Sequence, residues 1–352
     1  MTLKTSQINN YTEIPVNNTD VLREPDLFKK KVYDLSGLDS YITIYLDNFE
    51  QNLMPLESIS GEFTLSPNHI TTSLVTREPP TIEEAPNAAL KTVLFLPEGE
   101  GRQGEGGLRT QGYFKHSQPY KPLITVITVV FNGEKYLEET ILSVINQTYD
   151  NMEYIIIDGG STDGTLDVIR KYEDAIDYWV SEKDQGIYDA MNKGWRLTSE
   201  QSMILYLGAG DKIHTLPSAS ELEKNKQNIV YGNVYIGNHF YSSRIDFRLK
   251  LGNTLHHQAL LVPKKIHPHP PFNIKYKIYA DYDFNLRLFL SGKKYFKSQE
   301  FLSFALPDGV SSKINIIEIN KICRENLGYI HGLTSYIYIS LQKIKIWQKR
   351  IK

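Results

Sequence analysis

The chain has 352 residues, 41% of them hydrophobic and 23% charged, so it is long enough to bury a sizeable core and to form more than one folding unit. Its net charge of −2 argues against a nucleic-acid partner, and its aromatic residues are not interleaved with basic ones. Cys323 is the single cysteine, which excludes an internal disulfide. Because no secretory signal pattern and no apolar run of about 18 residues occurs, we expect a cytoplasmic protein.

The two parts of the chain differ in charge and in pattern. Residues 1–120 carry 10 Lys and Arg against 16 Asp and Glu, a balance of −6, which leaves 29 against 25, or +4, for residues 121–352. No periodicity in residues 1–98 indicates a fold, and this N-terminal region stays unclassified. Residues 99–121 are rich in Gly and Pro, which is typical of a linker or a draped arm.

Strands and helices alternate from residue 122 onward. The run "LITVITVVF" (123–131) is typical of a strand that is covered on both faces in a parallel sheet. An amphipathic helix (133–149), a strand (152–158) and a second helix (159–172) follow, and a third strand and helix lead to "SMILYLGAGD" (202–211). This order predicts an α/β fold with a doubly wound, mostly parallel sheet and flanking helices.

Polar and aromatic residues stand where each predicted strand ends. Phe131 and Asn132 follow the first strand, Asp158 the second, Asp184 the third and Asp211 the fourth. Ligands of doubly wound sheets lie beyond the carboxyl ends of the strands. We therefore expect these residues to line one ligand site.

The composition of these strand ends favours a nucleoside diphosphate as the ligand. A dinucleotide-binding sheet would carry G-x-G-x-x-G after its first strand, but "VVFNGEKY" has one glycine, which excludes the nicotinamide-binding class. Carboxylates at strand ends suit a ribose, a base edge, or a Mg²⁺ or Mn²⁺ ion that carries a diphosphate, because both ions prefer oxygen ligands.

Four segments of the chain together resemble a known enzyme family. They are "ITVVFNGEKYLEETILSVINQTYDNMEYIIIDGGSTDGT" (127–165), "SEKDQGIYDAMNKG" (181–194), "LGAGD" (207–211) and "ADYDFNLRL" (280–288). In this order they resemble the motifs of the inverting family 2 glycosyltransferases with the GT-A fold, over about residues 122–305. The resemblance implies transfer of a sugar from a nucleoside diphosphate donor, with inversion at the anomeric carbon and with Mn²⁺ or Mg²⁺ as cofactor.

The same resemblance implies roles for the strand-end residues. Phe131 matches an aromatic residue beside the base, and Asp158 matches the first of two acids that contact the base, with Gly159 in the place of the second. The family's Asp-x-Asp or Asp-Asp motif matches Gly210 and Asp211. Gly210 replaces the acid that meets the ribose, and Asp211 matches the metal ligand. Both departures leave the identity of the nucleotide open.

Three further residues are predicted to lie on the nucleotide side of the site. Asn132 and Asp184 are assigned there because they follow the first and third strands, and Gly210 is assigned there because a glycine lets the backbone approach the donor closely. Asn192, in "DAMNKG", either ends a helix near Gly194 or contacts the nucleotide.

The segment "IYADYDFNLRLFLSG" (278–292) predicts a helix with Asp281 and Asp283 in its first turn, where the helix dipole favours anions. Two solvated acids would explain this pattern equally well. The resemblance implies that Asp281 is the general base, that Asp283 lies behind it on the substrate side, and that His257 and Gln258 line the acceptor side. We expect a strand over 255–262, on which only one of two adjacent histidines can face the cleft.

Residues 306–352 predict a basic amphipathic helical tail. Residues 313–352 carry 8 Lys and Arg against 2 Glu, a balance of +6, and Ile337, Leu341, Ile344, Trp347 and Ile351 fall on one helical face. Such a helix is typical of peripheral contact with an anionic membrane, here at its inner face, although packing against the sheet would produce a similar pattern.

Together with the basic tail, the resemblance implies a glycosyltransferase that modifies a glycan or lipid-linked acceptor in polysaccharide biosynthesis. Two alternatives remain open from the sequence. One is a catalytically weak or silent module that binds sugar nucleotides, which the two missing acids favour. The other is a nucleotidyltransferase, although such enzymes usually carry a basic, Gly-rich loop after the first strand, and "VVFNGEKYLEET" contains none.

Overall fold

The computed structural model describes residues 13–15, 29–31, 95–118, 120–307 and 315–351, with side chains in the part from 95 to 341. Contacts divide the chain into one unit of residues 1–74 with Asn146–Asp150 and a second unit of residues 75–145 and 151–352. In the first unit, strand β1 (Glu13–Pro15) pairs antiparallel with β2 (Lys29–Lys31). The rest of the unclassified region before residue 95 lies outside the described residues.

A mixed sheet of ten strands forms the centre of the second unit. Its strands are β3 (Gly104–Gly106), β4 (Ile124–Val130), β5 (Met152–Asp158), β6 (Tyr178–Ser181), β7 (Met203–Gly208), β8 (Lys212–Thr215), β9 (Ile229–Ile236), β10 (His239–Tyr241), β11 (Leu260–Pro263) and β12 (Tyr295–Ala305). They lie in the order β3-β6-β5-β4-β7-β11-β9-β12-β8, with β10 paired to β9. The four neighbours β6, β5, β4 and β7 are parallel, and six of the ten strands share their direction.

Seven α-helices flank this sheet in the described part of the chain. They are α1 (Leu137–Ile145), α2 (Thr165–Lys171), α3 (Ile187–Arg196), α4 (Ala219–Asn225), α5 (Ala280–Leu290), α6 (Ile316–Leu327) and α7 (Tyr329–Ile351). Helices α1, α2 and α3 connect the four parallel strands, which confirms the predicted α/β fold. Every residue of β4 and β5 is buried, as expected for strands that are covered on both faces.

The strand order reverses between β4 and β7. Strands β5 and β6 lie on one side of β4, whereas β7 lies on its other side. A crevice forms at such a reversal, outside the carboxyl ends of the strands, because the chain leaves the two strands in opposite directions. The ends of β4 and β7, at Val130 and Gly208, lie beside this reversal.

Within the predicted linker or arm of residues 99–121, β3 forms the edge strand next to β6. The glycines of this arm allow close approach to side chains of the sheet. A Cβ atom at Gly106 would lie 1.9 Å from Glu173 Oε1 and 2.6 Å from Trp179 Nε1, and one at Gly99 would lie 2.3 Å from Glu182 Oε2. Glycine at these two positions allows close packing, because a side chain would collide with the sheet. Composition alone does not distinguish glycines with this role from those of a flexible linker.

The second half of the sheet is built from antiparallel and parallel pairs. Strand β11 joins β7 to β9 with antiparallel pairing on both sides, and β12 runs parallel to β9. The predicted strand over 255–262 is only partly formed, because residues His257–Ala259 make a 3-10 turn before β11 begins at Leu260. Both adjacent histidines therefore lie outside a strand, and the expected alternation of faces does not apply to them.

Helices α6 and α7 follow the sheet and form the predicted helical tail. Ser335 on α7 is fully buried and donates to Leu251 O at 2.6 Å, and Ile339 is 7% exposed. One face of α7 therefore packs against other parts of the second unit, to which the helix belongs. On another face, Ile337 and Leu341 are 49% and 54% exposed. The side chains of Ile344, Trp347 and Ile351 lie outside the described part. None of the helices in that part is long and apolar enough to cross a membrane.

The buried ion pair between arm and sheet provides a test of this arrangement. Arg109 Nη2 lies 2.6 Å from Glu153 Oε1, the two side chains are 1% and 3% exposed, and Thr125 donates to the other Glu153 oxygen at 2.9 Å. We predict that Arg109→Met destabilises the protein by about 3–5 kcal/mol, because it leaves the Glu153 carboxylate buried without its cation. Urea unfolding measures this change.

The matched control is Arg170→Met, since Arg170 is 51% exposed and lies 3.6 Å from an exposed Asp167. Its effect should stay below about 1 kcal/mol. A second substitution, Glu153→Gln, should recover part of the stability lost in Arg109→Met. Equal effects of the two arginine substitutions would contradict a structural role for the arm.

Candidate active site

Two loops at the carboxyl edge of the sheet are bound to each other. Asn132 N donates to Ser161 Oγ at 2.7 Å, Thr162 N donates to Asn132 Oδ1 at 2.9 Å, and Gly133 N donates to Thr165 Oγ1 at 2.8 Å. Asn132 adopts a left-handed conformation with φ 50°, which asparagine tolerates better than most residues. The backbone and the side chain of Asn132 thus bind the loop after β4 to the loop after β5. These two loops lie on the predicted nucleotide side of the site.

Phe131 lies at the end of β4 with 64% of its surface exposed. An exposed aromatic ring of this kind is unusual at the end of a strand that is otherwise buried. This exposure leaves the side chain accessible to a ligand, as stacking on a base would require.

The structure does not support the predicted nucleotide contact of Asp158. This carboxylate is fully buried and accepts from Gly160 N at 3.2 Å, Ser161 N at 2.9 Å, Ser181 Oγ at 2.5 Å and the Ser161 hydroxyl. A buried carboxylate is stable only when such donors surround it. Asp158 therefore fixes the loop after β5 and faces the interior of the protein.

Asn192 is likewise bound within the protein. Its Nδ2 donates to Phe272 O at 2.8 Å, its Oδ1 accepts from Phe272 N at 3.0 Å, and the residue is 6% exposed. The amide thus joins α3 to the loop before α5. The predicted helix end at Gly194 is wrong, because α3 continues to Arg196. Asn192 has a structural role of another kind, and its geometry does not support the nucleotide contact.

Asp184 follows β6 and is half-buried at the same edge of the sheet. Its Oδ1 accepts from Gly186 N at 2.7 Å, just before α3 begins. Burial raises the pKa of Asp184, and the nearby carboxylates of Asp189 and Asp158 raise it further, while the Gly186 bond and Lys193 oppose the shift.

Asp211 lies in the turn between β7 and β8, beside the strand reversal. Its Oδ2 accepts from Gly208 N at 2.8 Å and from Gln258 Nε2 at 3.0 Å, and the residue is 7% exposed. Burial raises the pKa of Asp211, although His257 and these hydrogen bonds partly offset the effect. A cation beside this carboxylate would favour its charged form.

The turn that carries Asp211 depends on Gly210. Gly210 has φ 98°, which favours glycine, and its N–H donates to Thr140 Oγ1 at 2.7 Å. A Cβ atom at this position would lie 2.1 Å from Leu306 Cδ1, so Leu306 occupies the space in which a side chain would begin. The acid expected from the family pattern would therefore not fit here unless Leu306 moved.

His257 lies between Asp211 and Asp281. Its Nε2 is 3.8 Å from Asp211 Oδ2 and its Nδ1 is 3.8 Å from Asp281 Oδ2, which are distances for charge attraction rather than for hydrogen bonds. Burial opposes the charged imidazole, but attraction to the two carboxylates outweighs it and raises the pKa of His257.

Asp281 stands in the first turn of α5, where the predicted helix begins. Asn253 Nδ2 donates to its Oδ2 at 3.0 Å, and Tyr188 OH lies 3.3 Å from its Oδ1. Asn285 Nδ2 in turn donates to Asn253 Oδ1 at 3.0 Å. These contacts hold the carboxylate in one orientation.

Asp283, two residues further on, has a different environment. It is 3% exposed, its Oδ2 accepts from Arg287 Nε at 2.9 Å, and its Oδ1 accepts from Asn326 Nδ2 at 2.9 Å. The Asn326 bond joins α5 to α6, whereas the Arg287 bond lies within α5. The geometry assigns Asp283 to this helix contact rather than to the predicted substrate contact.

Sequence reasoning did not identify Asn253 and Tyr188. Tyr188 lies in the segment "SEKDQGIYDAMNKG", which resembles a family motif, but no role was predicted for Tyr188 itself. Asn253 has no sequence signal, since it lies 28 positions before Asp281 and meets it only through the fold.

Comparison with known proteins assigns the chain to a family. The profile of glycosyl transferase family 2 matches residues 125–268. A PGL/p-HBAD biosynthesis glycosyltransferase of Mycobacterium bovis is 30% identical over 180 residues, which cover 48% of this chain and 70% of that protein. TuaG of Bacillus subtilis, whose name assigns it to teichuronic acid biosynthesis, is 35% identical over 96 residues, which cover 26% of this chain and 38% of that protein.

Among solved structures, S. aureus TarS in complex with UDP aligns with a TM-score of 0.45 and 15% identity, covering 60% of this chain and 69% of that one. The family profile covers β4 to β11, which carry every strand end described above. The chain therefore belongs to glycosyl transferase family 2.

Proposed function

We propose that this glycosyltransferase moves a sugar from a nucleoside diphosphate to an acceptor hydroxyl with inversion at the anomeric carbon, and that it depends on Mn²⁺ or Mg²⁺. The observation that carries the proposal is the placement of Asp211 and Asp281, which both lie 3.8 Å from the same imidazole of His257. One carboxylate belongs to the end of the parallel sheet and the other to α5. A donor and an acceptor could meet between them.

Asp281 is the proposed general base. It would take the proton of the acceptor hydroxyl while the hydroxyl oxygen forms its bond to the anomeric carbon and the bond to the diphosphate breaks on the opposite face. This role needs a carboxylate with a fixed orientation. The hydrogen bond from Asn253 and the contact with Tyr188 support such an orientation.

Asp211 is the proposed protein ligand of the cation. Its buried carboxylate fits a divalent metal, and Gln258 Oε1 beside it is buried without a hydrogen-bond partner in the described part of the chain. No group of three His, Cys, Asp or Glu side chains among the described residues could hold a metal ion. We therefore expect the diphosphate to supply further ligands, and the bound cation to stabilise the charge of the leaving diphosphate.

The nucleotide would lie over the ends of β4, β5 and β6. The exposed ring of Phe131 supports stacking with a base, and the half-buried carboxylate of Asp184 supports a hydrogen bond to it. Stacking tolerates every base, whereas a carboxylate discriminates among them.

The proposed acceptor is lipid-linked, in the synthesis of a surface polysaccharide or glycolipid. Two relatives carry names from PGL/p-HBAD and teichuronic acid biosynthesis. A second support is the outer stripe of α7, which we define as Ile330, Leu333, Ile337 and Leu341. These residues are 78%, 62%, 49% and 54% exposed and recur at intervals of three and four positions, so they share one helical face.

The basic end of the chain follows this stripe. Five Lys and Arg residues lie within residues 341–352. An apolar helical face next to a basic segment suits the surface of an anionic bilayer, where each Lys or Arg contributes about 1 kcal/mol of attraction. We propose peripheral contact of α7 with the inner face of such a membrane.

The alternative of a silent module that binds sugar nucleotides rests on the glycines at 159 and 210, which stand in place of family acids. Donor hydrolysis by the purified protein with Mn²⁺ separates the two proposals. UDP-, GDP- and dTDP-sugars are the donors to compare. Binding without hydrolysis or transfer in all three cases would favour the module.

For Asp281→Asn we predict a fall in turnover of about 10²-fold or more, because the amide cannot accept the acceptor's proton. Nucleotide affinity should remain close to that of the wild type, since Asp281 lies away from the nucleotide side. Steady-state transfer and nucleotide titration measure the two effects. The matched control is Asp167→Asn at an 85% exposed acid in the first turn of α2, and near-normal turnover in Asp281→Asn would refute the assignment.

For Asp211→Ala we predict the loss of metal-dependent nucleotide binding. Without this carboxylate the cleft lacks the anion that retains the cation, and the diphosphate is then poorly held. Titration of UDP or GDP in Mn²⁺ and in EDTA tests the prediction, with a large affinity difference in the wild type and almost none in the variant. A wild-type protein that binds equally in both conditions would exclude the proposed metal role.

For the outer stripe we predict that the double variant Ile330→Glu/Ile337→Glu no longer floats with anionic liposomes at low salt, whereas the wild type does. Two carboxylates on the apolar face oppose insertion and repel the anionic surface. The control is Phe240→Glu, because Phe240 is an exposed aromatic residue of β10, 55% exposed. If the wild type stays in solution at low salt, the membrane proposal is wrong and a soluble acceptor becomes the better one.

A further inference from the structure

The segment before α5 decides where Asp281 lies, because this acid is the second residue of the helix. Residues 273–279 contain turns and bends but neither helix nor strand, and α5 begins at Ala280. Tyr279, which directly precedes the helix, makes no side-chain hydrogen bond to the helix start. The first N–H groups of a helix have no acceptors within it. The start of α5 therefore has to be fixed by other parts of the chain.

Glu318 of α6 fixes this segment. Its Oε1 accepts from Ile278 N at 2.8 Å and from Tyr279 N at 2.7 Å. One carboxylate oxygen thus holds two successive N–H groups directly before α5. Hydrogen bonds that a carboxylate accepts from backbone N–H groups are among the stronger ones in proteins. The contact therefore restrains the backbone that leads into the helix of Asp281.

The position of Glu318 within α6 is typical of an acid with a local role. Asn315 caps α6, and its Oδ1 accepts from Glu318 N at 3.2 Å, so the spacing N-x-x-E matches a capping box. In that motif the acid bonds back to the N–H of its own cap residue. Here Oε1 bonds to residues that lie 39 and 40 positions earlier in the chain. Sequence alone would therefore assign Glu318 to its own helix, whereas the fold assigns it to the start of α5.

The hydroxyl of Tyr188 reaches the same segment. Tyr188 OH lies 2.6 Å from Ile278 O and 3.3 Å from Asp281 Oδ1, but a hydroxyl has one proton to donate. The shorter distance assigns this proton to Ile278 O. The second oxygen of Asp281, Oδ2, accepts from Asn253 Nδ2 at 3.0 Å. Of the two oxygens, Oδ1 is thus the one left to take a proton from a substrate hydroxyl.

We infer that Glu318 is a positioning residue for Asp281. By holding the backbone before α5, it keeps Ile278 O where this oxygen binds the Tyr188 proton, and so it keeps Asp281 Oδ1 available as the base. The inference rests on the proposed function, in which Asp281 takes a proton. It adds a residue of α6, beyond the residues 125–268 that the family profile matches. The role depends on the reach of the Glu318 side chain more than on its charge, because the two N–H groups need an acceptor oxygen at one place.

Two substitutions separate reach from charge. Glu318→Gln keeps the length of the side chain and an acceptor oxygen but removes the charge, whereas Glu318→Asp keeps the charge and shortens the side chain by one methylene. The matched control is Glu325→Asp. Glu325 also lies on α6 and bonds to the same segment, at Lys275 Nζ (2.5 Å) and Tyr276 OH (2.7 Å). These contacts run through side chains rather than through the backbone next to Asp281.

The test measures hydrolysis of UDP-, GDP- and dTDP-sugars by the full-length protein with Mn²⁺. In this reaction water replaces the acceptor. Its oxygen bonds to the anomeric carbon, its proton passes to Asp281, and the bond to the diphosphate breaks. The values of kcat and KM are determined for the donor that is hydrolysed, and nucleotide affinity is determined by calorimetry. Thermal unfolding shows whether each variant is folded.

We expect Glu318→Asp to lower kcat about 10-fold or more, with KM and nucleotide affinity within about 2-fold of the wild type. Glu318→Gln should keep at least about one third of the wild-type kcat, and Glu325→Asp should keep nearly all of it. Combined with Asp281→Asn, Glu318→Asp should lower kcat no further, since a residue that acts through Asp281 loses its effect once this base is absent. A residue with a merely structural role would lower kcat in both backgrounds.

A wild-type kcat in Glu318→Asp would overturn the inference, and so would equal losses in Glu318→Asp and Glu325→Asp or a further loss in the double variant. A lower kcat in Glu318→Gln than in Glu318→Asp would also contradict it, because charge would then matter more than reach. In all these cases, hydrolysis that requires Asp281 would leave the proposed function standing. A wild type that neither hydrolyses nor transfers from any of these donors, or an Asp281→Asn variant with near-normal kcat, would instead reject the proposed function together with the inference.

Discussion

The contact of His257 with two carboxylates joins the two halves of this enzyme. Asp211 comes from the end of the parallel sheet, and Asp281 comes from α5 in the second half of the chain. Two carboxylates that face one another repel unless a cation lies between them, and a protonated imidazole at 3.8 Å from each carboxylate would reduce this repulsion. The proposed roles of Asp211 as metal ligand and of Asp281 as general base depend on this arrangement.

Around that contact, several polar groups form hydrogen bonds with partners from distant parts of the chain. Asn253 and Tyr188 orient Asp281, Gln258 holds Asp211, and the loops after β4 and β5 bind each other. A buried polar group without a partner costs free energy, so these networks give the cleft a defined shape. Rigid loops favour catalysis because the reacting groups need little reorganisation.

Much of the fold could be predicted from the sequence, because strands buried on both faces and amphipathic helices leave clear periodicities. Strand β5 matches its predicted range at both ends, and the acid at the end of β7 was identified. The predicted roles of Asp158, Asn192 and Asp283 found no support, since an acid or amide near a cleft can equally turn inward to bind the backbone. Local sequence does not distinguish these two environments.

By itself, the sequence determined the alternation of strands and helices and the family, and it predicted the edge of the sheet at which a ligand would bind. The spacing of hydrophobic residues and the ends of strands are local properties of the sequence. Only the tertiary structure decided that the glycines of residues 99–121 serve packing, that Leu306 occupies the space beside Gly210, and that Asp184 occupies the space beside Gly159. These facts depend on which atoms meet across long separations in the chain. Contacts of that kind follow from the packing of the whole fold, and no local pattern records them.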